Sequence, residues 1–340
     1  MIKASIIVHE AYTGNRLFDL TNPCLNRDDC LYPYVLLREH LAERGILLAT
    51  QDKHRPEDSD LIICNEMPRP KLTSAIHAKK ILLLFETEII RPDNWNLSAH
   101  KSFDIVFTWH DGFAGHGRYR KFNFPNKVPA NSREISARSR SSLCAMIAGN
   151  KSSHHPLELY SERLSAIEWF ERNRPNDFAL YGKGWDCRTF YGLLRPLNKL
   201  PALRHTLTPF HPSYRGEIVS KLETYSNYRF AICYENAIGI PGYITEKIFD
   251  CLFAGCIPVY LGAPNIAEYI PSDCFINRNA FNDYLALYTF LMDISEPRRK
   301  CYVEAAMDFI NGADIEAFGS ERFAAEIANA AVDILNKDNS

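Results

Sequence analysis

The chain has 340 residues, of which 46% are hydrophobic and 24% charged, a composition that allows two ordinary globular domains. Its formal net charge of −2 lacks the basic excess needed to bind a phosphate backbone, so no nucleic-acid partner is expected. No apolar run reaches the ~18 residues that span a bilayer, so the sequence predicts neither a signal peptide nor a membrane anchor. The ten cysteines are scattered without a C-x-x-C pair, which favours reduced thiols over a zinc site or disulfides.

The N-terminal part of the chain alternates short apolar runs with helical or polar segments. Buried strands are indicated by the runs SIIV, ILLAT, DLIIC, KILLLF and FDIVFTW. The segment YPYVLLREHLAERG predicts a helix that ends at Gly45. Such alternation is typical of a mostly parallel sheet covered by helices, so residues 1–140 are predicted to form a Rossmann-like domain.

A second alternating series follows the polar stretch VPANSREISARSRSS, which predicts an exposed connection. Its predicted strands are SLCAMIAG, DFALYG, RFAICY and IPVYLG, and its predicted helices are ELYSERLSAIEWFERN and ITEKIFDCLFAG. Residues 141–315 are therefore predicted to form a second Rossmann-like domain, and residues 316–340 a helix that packs back on the first. Two such α/β domains facing each other make the GT-B fold, with the ligand cleft at the carboxyl ends of the strands.

The most informative local pattern is YRFAICYENAIGIPGYITEKIFDCLFAGCIPVYLGAPNIAEYIP, residues 228–271. It predicts a strand to Tyr234, a glycine-containing loop, and a helix that opens near Thr245. Glycines allow close backbone approach, and the free N–H groups of a helix start attract a diphosphate. Glu246 can accept hydrogen bonds from ribose hydroxyls, and Lys247 can neutralise a leaving pyrophosphate. Taken alone, these two residues are explained better by the helix dipole and a solvated lysine.

Taken as a whole, this string resembles the signature of the family 10 α-1,3/1,4-fucosyltransferases. The matching residues are Glu235, Asn236, Tyr243 to Lys247, and the Ala-Gly-x-x-Pro-Val-x-Leu-Gly stretch at 254–262. The resemblance implies a GT-B fold, a C-terminal donor domain, GDP-fucose as donor, inversion at the anomeric carbon, and no obligatory metal or other cofactor. It is clear from about Leu143 to Phe281 and weaker in the N-terminal half, as is usual where the family recognises the acceptor. The resemblance therefore implies that residues 1–140 form the acceptor-binding domain.

The resemblance also implies the donor-binding residues. Asn236, Tyr243, Glu246 and Lys247 match positions that lie around the nucleotide and fucose in the family. We add Glu235 and Thr245 from the same stretch to the predicted donor-binding set.

Two further cations are donor-site candidates. Lys221, ahead of the RFAICYEN strand, either helps to hold phosphate or is a surface lysine. Some family members carry an arginine in the loop before the helix of the 160s, where this chain reads KSSHHPLE. We expect Arg163 to replace it, because a guanidinium binds phosphate bidentately, with His154 or His155 as alternatives.

The catalytic base is expected from the first domain. Inverting transfer is a single displacement, so one carboxylate must take the acceptor's proton on the face opposite the diphosphate. Glu86 and Glu88 follow the predicted strand KILLLF, and family members resemble this Glu-x-Glu segment. This predicts Glu86 as base and Glu88 as an acceptor contact or supporting residue. With period-two alternation both side chains can point the same way, so the reverse order is open, as is a pair of solvated glutamates.

Other strand ends supply candidates for acceptor binding. His9 and Glu10 follow SIIV, although a lone histidine at a strand end is more often structural. Trp109 follows FDIVF, and aromatic rings stack on sugar faces.

The predicted function is inverting transfer of L-fucose from GDP-β-L-fucose to a glycan hydroxyl, with an α-1,3 or α-1,4 linkage. The expected acceptor is an oligosaccharide or glycolipid that contains N-acetylglucosamine, or a related bacterial surface glycan. A cytoplasmic location is expected, with peripheral association at the inner face of the membrane as a second option. The alternatives are a family member that uses another GDP-linked deoxysugar, and a catalytically silent sugar-nucleotide-binding protein. The joint presence of Glu86, Glu246 and Lys247 speaks against the silent protein.

Overall fold

Two parallel β-sheets organise the chain in a computed structural model that describes residues 1–69, 77–130, 139–187, 192–200 and 211–336. The first sheet has the strand order β2-β1-β3-β4-β5-β6, and every neighbouring pair is parallel. The mixed α/β class and the parallel pairing predicted from the sequence are confirmed. The strands are β1 Ile2–Ile7, β2 Ile46–Thr50, β3 Leu61–Asn65, β4 Lys79–Leu84, β5 Ile105–Thr108 and β6 Tyr119–Lys121.

The first sheet contains all five predicted strands and one that the pattern did not indicate. Strand β6 has no apolar run because it is a short edge strand whose side chains are exposed or half-buried. The predicted helix α1 spans Tyr32–Glu43, and Gly45 follows it with φ +75°. A left-handed backbone of this kind favours glycine just after a helix.

The second sheet has the order β11-β10-β9-β7-β8, again with parallel neighbours. Its strands are β7 Ser142–Ile147, β8 Phe178–Tyr181, β9 Tyr228–Tyr234, β10 Ile257–Leu261 and β11 Ile276–Asn277. The described α-helices after β7 are α2 Tyr160–Asn173, α3 Lys221–Tyr225, α4 Glu246–Phe253, α5 Tyr284–Asp293, α6 Glu296–Asn311 and α7 Ser320–Asn336.

The connection predicted from VPANSREISARSRSS lies partly outside the described residues, which omit 131–138. Where its end is described, Arg140 is buried and donates a hydrogen bond from Nη2 to the Ala254 carbonyl at 2.7 Å. This end of the segment therefore packs on the second sheet's helix α4, contrary to the expectation of an exposed connection throughout. The reason is that a guanidinium can be buried when a backbone carbonyl accepts from it.

The last helix, α7, packs on the first sheet and on α1, although it follows the second sheet in the chain. Phe323 has its ring 6.2 Å from Tyr34, 5.9 Å from Phe85 and 5.8 Å from Phe122. The Asn126 N–H donates to the Phe318 carbonyl at 2.7 Å, and the N–H of Ser320, the first residue of α7, donates to the Asn126 carbonyl at 3.0 Å. The chain thus crosses twice between the two sheets, which ties them together. Among the helices of the described residues, none combines the length and the hydropathy that a membrane span requires.

We predict that Phe323→Ala lowers the free energy of unfolding by about 3–5 kcal/mol, because a buried aromatic side chain would be replaced by a cavity. Phe323 is 3% exposed. Equilibrium urea unfolding measures the change. The matched control is Arg322→Ala on the same helix, where an exposed ion pair with Glu326 is worth about 0.5 kcal/mol or less. Equal effects of the two substitutions would contradict the packing described for α7.

Candidate functional site

A cavity of about 380 Å³ opens at the carboxyl ends of both sheets. In the second sheet it lies over the ends of β7 and β9, where the chain changes from adding strands on one side to adding them on the other. Open α/β sheets bind ligands at this point because the loops from the two strands diverge and leave a crevice. From the first sheet, Glu86 lies in the wall of the same cavity.

The walls of this cavity carry more cations than anions among the described residues. Six positive side chains and four carboxylates line it: Arg27, Lys151, Arg163, Lys183, Lys221 and Lys247, with Glu86, Glu217, Glu246 and Asp250. A cluster of cations at the end of a sheet raises the local concentration of anions. The cavity is therefore suited to a multiply charged anion such as a diphosphate.

The start of α4 is fixed by a buried carboxylate. Glu235 has no exposed surface, and its two oxygens accept from the Thr245 N–H at 2.8 Å and the Thr245 hydroxyl at 2.7 Å. Thr245 is the N-cap of α4, and its Oγ1 accepts from Lys247 Nζ at 2.8 Å. Glu235 also lies 3.3 Å from Lys247 Nζ. The network holds the lysine at the cavity wall while Thr245 caps the helix.

This geometry corrects the predicted donor contact of Glu235. The side chain lies behind Thr245 and is not in the wall of the cavity, because both oxygens are used inside the protein. Gly262 shows how closely Glu235 is packed, since a Cβ there would lie 2.5 Å from Glu235 Cγ. Glu235 thus positions Thr245 and Lys247, both of which line the cavity.

A second ion network lies on the next turn of α4. Lys221, at the start of α3, is 2.7 Å from Asp250 and 3.9 Å from Glu246. Only 14% of its side chain is exposed, so the alternative of a surface lysine is wrong. Although burial opposes the charge of Glu246, the ammonium groups of Lys247 and Lys221 lower its pKa to about 2. The carboxylate is therefore ionised at neutral pH and can accept hydrogen bonds from hydroxyl groups.

Arg163 lies near the start of α2. Its Nη2 donates to the Tyr234 carbonyl at 2.6 Å and to Asn236 Oδ1 at 3.0 Å. Arg163 is 6% exposed and lines the cavity together with Asn236. Neither His154 nor His155 is among the described residues in this wall; His155 instead contacts Glu88, with Nε2 3.0 Å from the carboxylate.

Glu86 and Glu88 lie on different sides of their loop, because the chain leaves the extended conformation after β4 and period-two alternation ends. Glu86 lines the cationic cavity, and burial raises its pKa above the usual value against the attraction of Lys247. Glu88 lines a second cavity, and 48% of its side chain is exposed. The two side chains therefore do not face one way, which was the possibility that left the order of their roles open.

The second cavity has a volume of about 350 Å³, and its wall includes several aromatic side chains. Trp109 forms part of this wall but is 0% exposed, and its Nε1 donates to the Phe85 carbonyl at 2.8 Å. Its ring packs on Tyr243, with the centroids 4.6 Å apart. The tryptophan therefore connects the two sheets and offers no free face for a sugar. The other described aromatic side chains of the wall are Trp95, His110 and Phe113.

His9 and Glu10 are exposed beyond the carboxyl end of β1, on the same edge of the sheet as Glu86. Neither lines the two cavities described above. His9 Nδ1 accepts from the Ala11 N–H at 3.2 Å and so caps a short 3₁₀ turn. The structure thus gives His9 a local structural contact, and it does not bring the pair to the Glu86 loop.

The sequence analysis missed three cations of the first cavity. Arg27 reaches it from the first half of the chain, and Lys151 and Lys183 follow β7 and β8. Lys151 and Lys183 could have been suspected because they follow predicted strands. Arg27 had no comparable signal, because it does not directly follow a predicted strand. It lies between β1 and α1, next to Asp28 and Asp29, which have positive φ. No group of three histidine, cysteine, aspartate or glutamate side chains able to hold a metal occurs in the described parts of the chain.

Comparison with known proteins gives a family match over part of the chain. Residues 211–304 match the family model described as Glycosyltransferase family 10 (fucosyltransferase) C-term. The chain is 39% identical over 67 residues to the alpha-(1,3)-fucosyltransferase FucT of Helicobacter pylori, covering 20% of this chain and 14% of that protein. It is 36% identical over 86 residues to the 4-galactosyl-N-acetylglucosaminide 3-alpha-L-fucosyltransferase 9 of Mus musculus, covering 24% of each. The resemblance to family 10 is confirmed over residues 211–304. The segments aligned with the two relatives cover less than a quarter of either relative's length.

The likeness to solved structures extends over the whole chain. The crystal structure of an alpha1,3-fucosyltransferase with GDP-fucose gives a TM-score of 0.56 at 17% identity, covering 100% of this chain and 91% of that one. An identity this low shows the fold alone. The structural likeness confirms the predicted GT-B arrangement of two Rossmann-like halves with a cleft between them.

We predict that Glu235→Ala lowers the free energy of unfolding by about 3 kcal/mol, because it removes the partner of Lys247 and the acceptor of the Thr245 N–H. Urea unfolding measures the loss. Glu223→Ala, an exposed glutamate in the first turn of α3, serves as control and should change stability by about 0.5 kcal/mol or less. A Glu235→Ala variant as stable as this control would contradict the network described above.

Proposed function

We propose that the protein is an inverting fucosyltransferase that uses GDP-fucose as donor and a glycan hydroxyl as acceptor. The observation that carries the proposal is the pairing, in one cavity, of a cation cluster from the second sheet with a half-buried carboxylate, Glu86, from the first. The family match over residues 211–304 and the likeness in fold support the same chemistry.

The donor side of the proposal rests on the cations of the first cavity. Lys247 stands at the N-terminus of α4, whose free N–H groups and helix dipole also favour a phosphate. Arg163 and Lys221 add two positive charges in the same wall. Glu246 is ionised and lies beside Lys247, so it suits ribose hydroxyls or the sugar better than the diphosphate. These residues would hold GDP-fucose with its sugar towards Glu86.

The catalytic step needs one proton acceptor and one stabilised leaving group. As the acceptor oxygen forms a bond to the anomeric carbon, the bond from that carbon to the diphosphate breaks, and GDP leaves with an added negative charge. Glu86 takes the proton of the acceptor hydroxyl, and the ammonium of Lys247 stabilises the departing diphosphate. Because Glu86 comes from the first sheet and Lys247 from the second, we propose that the acceptor attacks from the face opposite the leaving group, so that the configuration inverts.

The second cavity is where we propose that the acceptor binds. It adjoins the Glu86 loop through Thr87 and Glu88, and its aromatic side chains can pack on the apolar face of a sugar. A glycan that contains N-acetylglucosamine, or a related bacterial surface glycan met in the cytoplasm or at the inner membrane face, is the proposed acceptor. The mouse relative is named for such an acceptor, and the linkage proposed is α-1,3 or α-1,4. The proposed acceptor contacts do not include Trp109, which is buried, or His9 and Glu10, which line neither cavity.

We predict that the protein binds GDP and GDP-fucose in preference to UDP, and that Lys247→Met weakens GDP binding roughly tenfold or more through loss of a charge-assisted contact. Isothermal titration calorimetry measures the affinities. The matched control is Lys300→Met, a surface lysine whose side chain is 71% exposed, which should bind as the wild type does. Absence of any preference for guanine nucleotides would overturn the donor assignment. Competition by other GDP-linked deoxysugars separates GDP-fucose from the closest alternative donor.

We predict that Glu86→Gln keeps GDP binding and lowers the rate of fucose transfer by roughly 10²–10⁴-fold, the usual contribution of a general base. A radiolabel transfer assay over a glycan panel measures it. Glu86 must be ionised to accept a proton, and burial raises its pKa. The wild-type kcat/KM should therefore fall on the acid side at a pH above the ordinary carboxylate range. Full transfer activity of Glu86→Gln would remove Glu86 as the base, and donor binding without transfer by the wild type would favour the silent binding protein.

A further inference from the structure

Glu66 has a backbone conformation that its residue type disfavours. It follows β3 directly and has φ +76°, a left-handed value that costs a non-glycine residue of order 1–3 kcal/mol. Such strain persists only where the surrounding contacts compensate for it. Its own N–H donates to the Leu83 carbonyl at 2.9 Å, which fixes Glu66 beside the end of β4.

The side chain of Glu66 binds the backbone of the loop that carries Glu86. Its Oε1 accepts from the Phe85 N–H at 3.2 Å and from the Glu86 N–H at 2.9 Å. Its Oε2 accepts from Asn94 Nδ2. These two N–H groups lie just beyond β4, where the strand has ended, so a side chain supplies the acceptor that a neighbouring strand would otherwise provide.

The carbonyl of Glu86 is held from the other side. Trp95 Nε1 donates to it at 3.1 Å and Asn94 Nδ2 at 3.3 Å. Asn94 is itself fully buried, and its Oδ1 accepts from the Met67 N–H at 2.9 Å. Both peptide groups of Glu86 are therefore fixed by side chains, and Glu66 and Asn94 are joined directly.

We propose that Glu66 is a positioning residue for the catalytic step. It holds the Glu86 peptide so that the Glu86 carboxylate faces the first cavity, where the donor is proposed to bind. The inference rests on the proposed role of Glu86 as base. Glu66 does not line that cavity, so it acts through the backbone and touches neither substrate. Catalysis depends on geometry steeply, and a displacement of about 1 Å at a reacting group can cost on the order of 10²-fold in rate.

Two substitutions separate the effect of the length of the Glu66 side chain from the effect of its charge. Glu66→Gln keeps the length of the side chain and an oxygen that can accept from the Phe85 and Glu86 N–H groups. Glu66→Asp keeps the carboxylate but is one methylene shorter, so it withdraws the oxygens from the loop. We expect kcat for fucose transfer to fall about tenfold or more in Glu66→Asp and to stay within about threefold of the wild type in Glu66→Gln. The GDP dissociation constant should be unchanged in both.

The outcomes are distinguishable from a failure of the proposed function. Hydrogen exchange at the Phe85 and Glu86 amides, measured on the whole protein, should become faster in Glu66→Asp and remain protected in Glu66→Gln, whether or not the wild type transfers fucose. Equal exchange in both variants, or a lower kcat in Glu66→Gln than in Glu66→Asp, would overturn the inference. A wild type that transfers no fucose but shows the expected exchange pattern would instead refute only the proposed reaction. Glu57→Ala, an exposed glutamate of the same half, controls for general effects.

Discussion

The buried carboxylate of Glu235 is the constraint on which the site depends. It joins the end of β9 to the start of α4. Its oxygens accept hydrogen bonds from the N-cap residue Thr245 and lie within ion-pair distance of Lys247. Burying a carboxylate is costly unless it is paired and hydrogen-bonded, and here both of its oxygens are used. Glu235 and Thr245 thus fix the direction of the Lys247 side chain, at a helix start that already favours anions. The glycine at 262 follows from the same constraint, because no side chain fits beside Glu235.

The relation between the two halves depends on a few close contacts near this network. Gly242 has φ +82°, and a Cβ there would lie 2.4 Å from the Trp109 carbonyl, so the loop before α4 can touch the first half only with glycine. Asp111 accepts from Tyr269 at 2.6 Å and from Asn265 at 2.9 Å, which adds polar contacts between the halves. Glu86 from the first half and Lys247 from the second line the same cavity. Fixed geometry of this kind lets two walls from distant parts of the chain act on one bound molecule.

Local sequence was sufficient for the parts of the site built by consecutive residues. The Glu-Asn pair directly follows β9, the Tyr-Ile-Thr-Glu-Lys stretch leads into α4, and the Pro-Val-x-Leu-Gly stretch covers β10 and its end. The three motifs therefore belong to consecutive elements of the chain. The apolar runs likewise predicted nine of the eleven described strands, missing only the short edge strands β6 and β11, whose length leaves no pattern to detect. Arg163 and Lys221, which the sequence offered as donor-site cations, both line the first cavity.

What the sequence by itself determined was the α/β class, the parallel strands and the resemblance to family 10, since periodicity and motif are local properties. Only the tertiary structure decided that Glu235 lies behind the wall, that Glu86 and Glu88 face different cavities, and that Trp109 is buried between the halves. It alone brought Arg27 to the cavity and Glu66 beneath the Glu86 loop. The physical reason is that side-chain direction and burial at a strand end depend on contacts with residues far away in the chain, which no local pattern encodes.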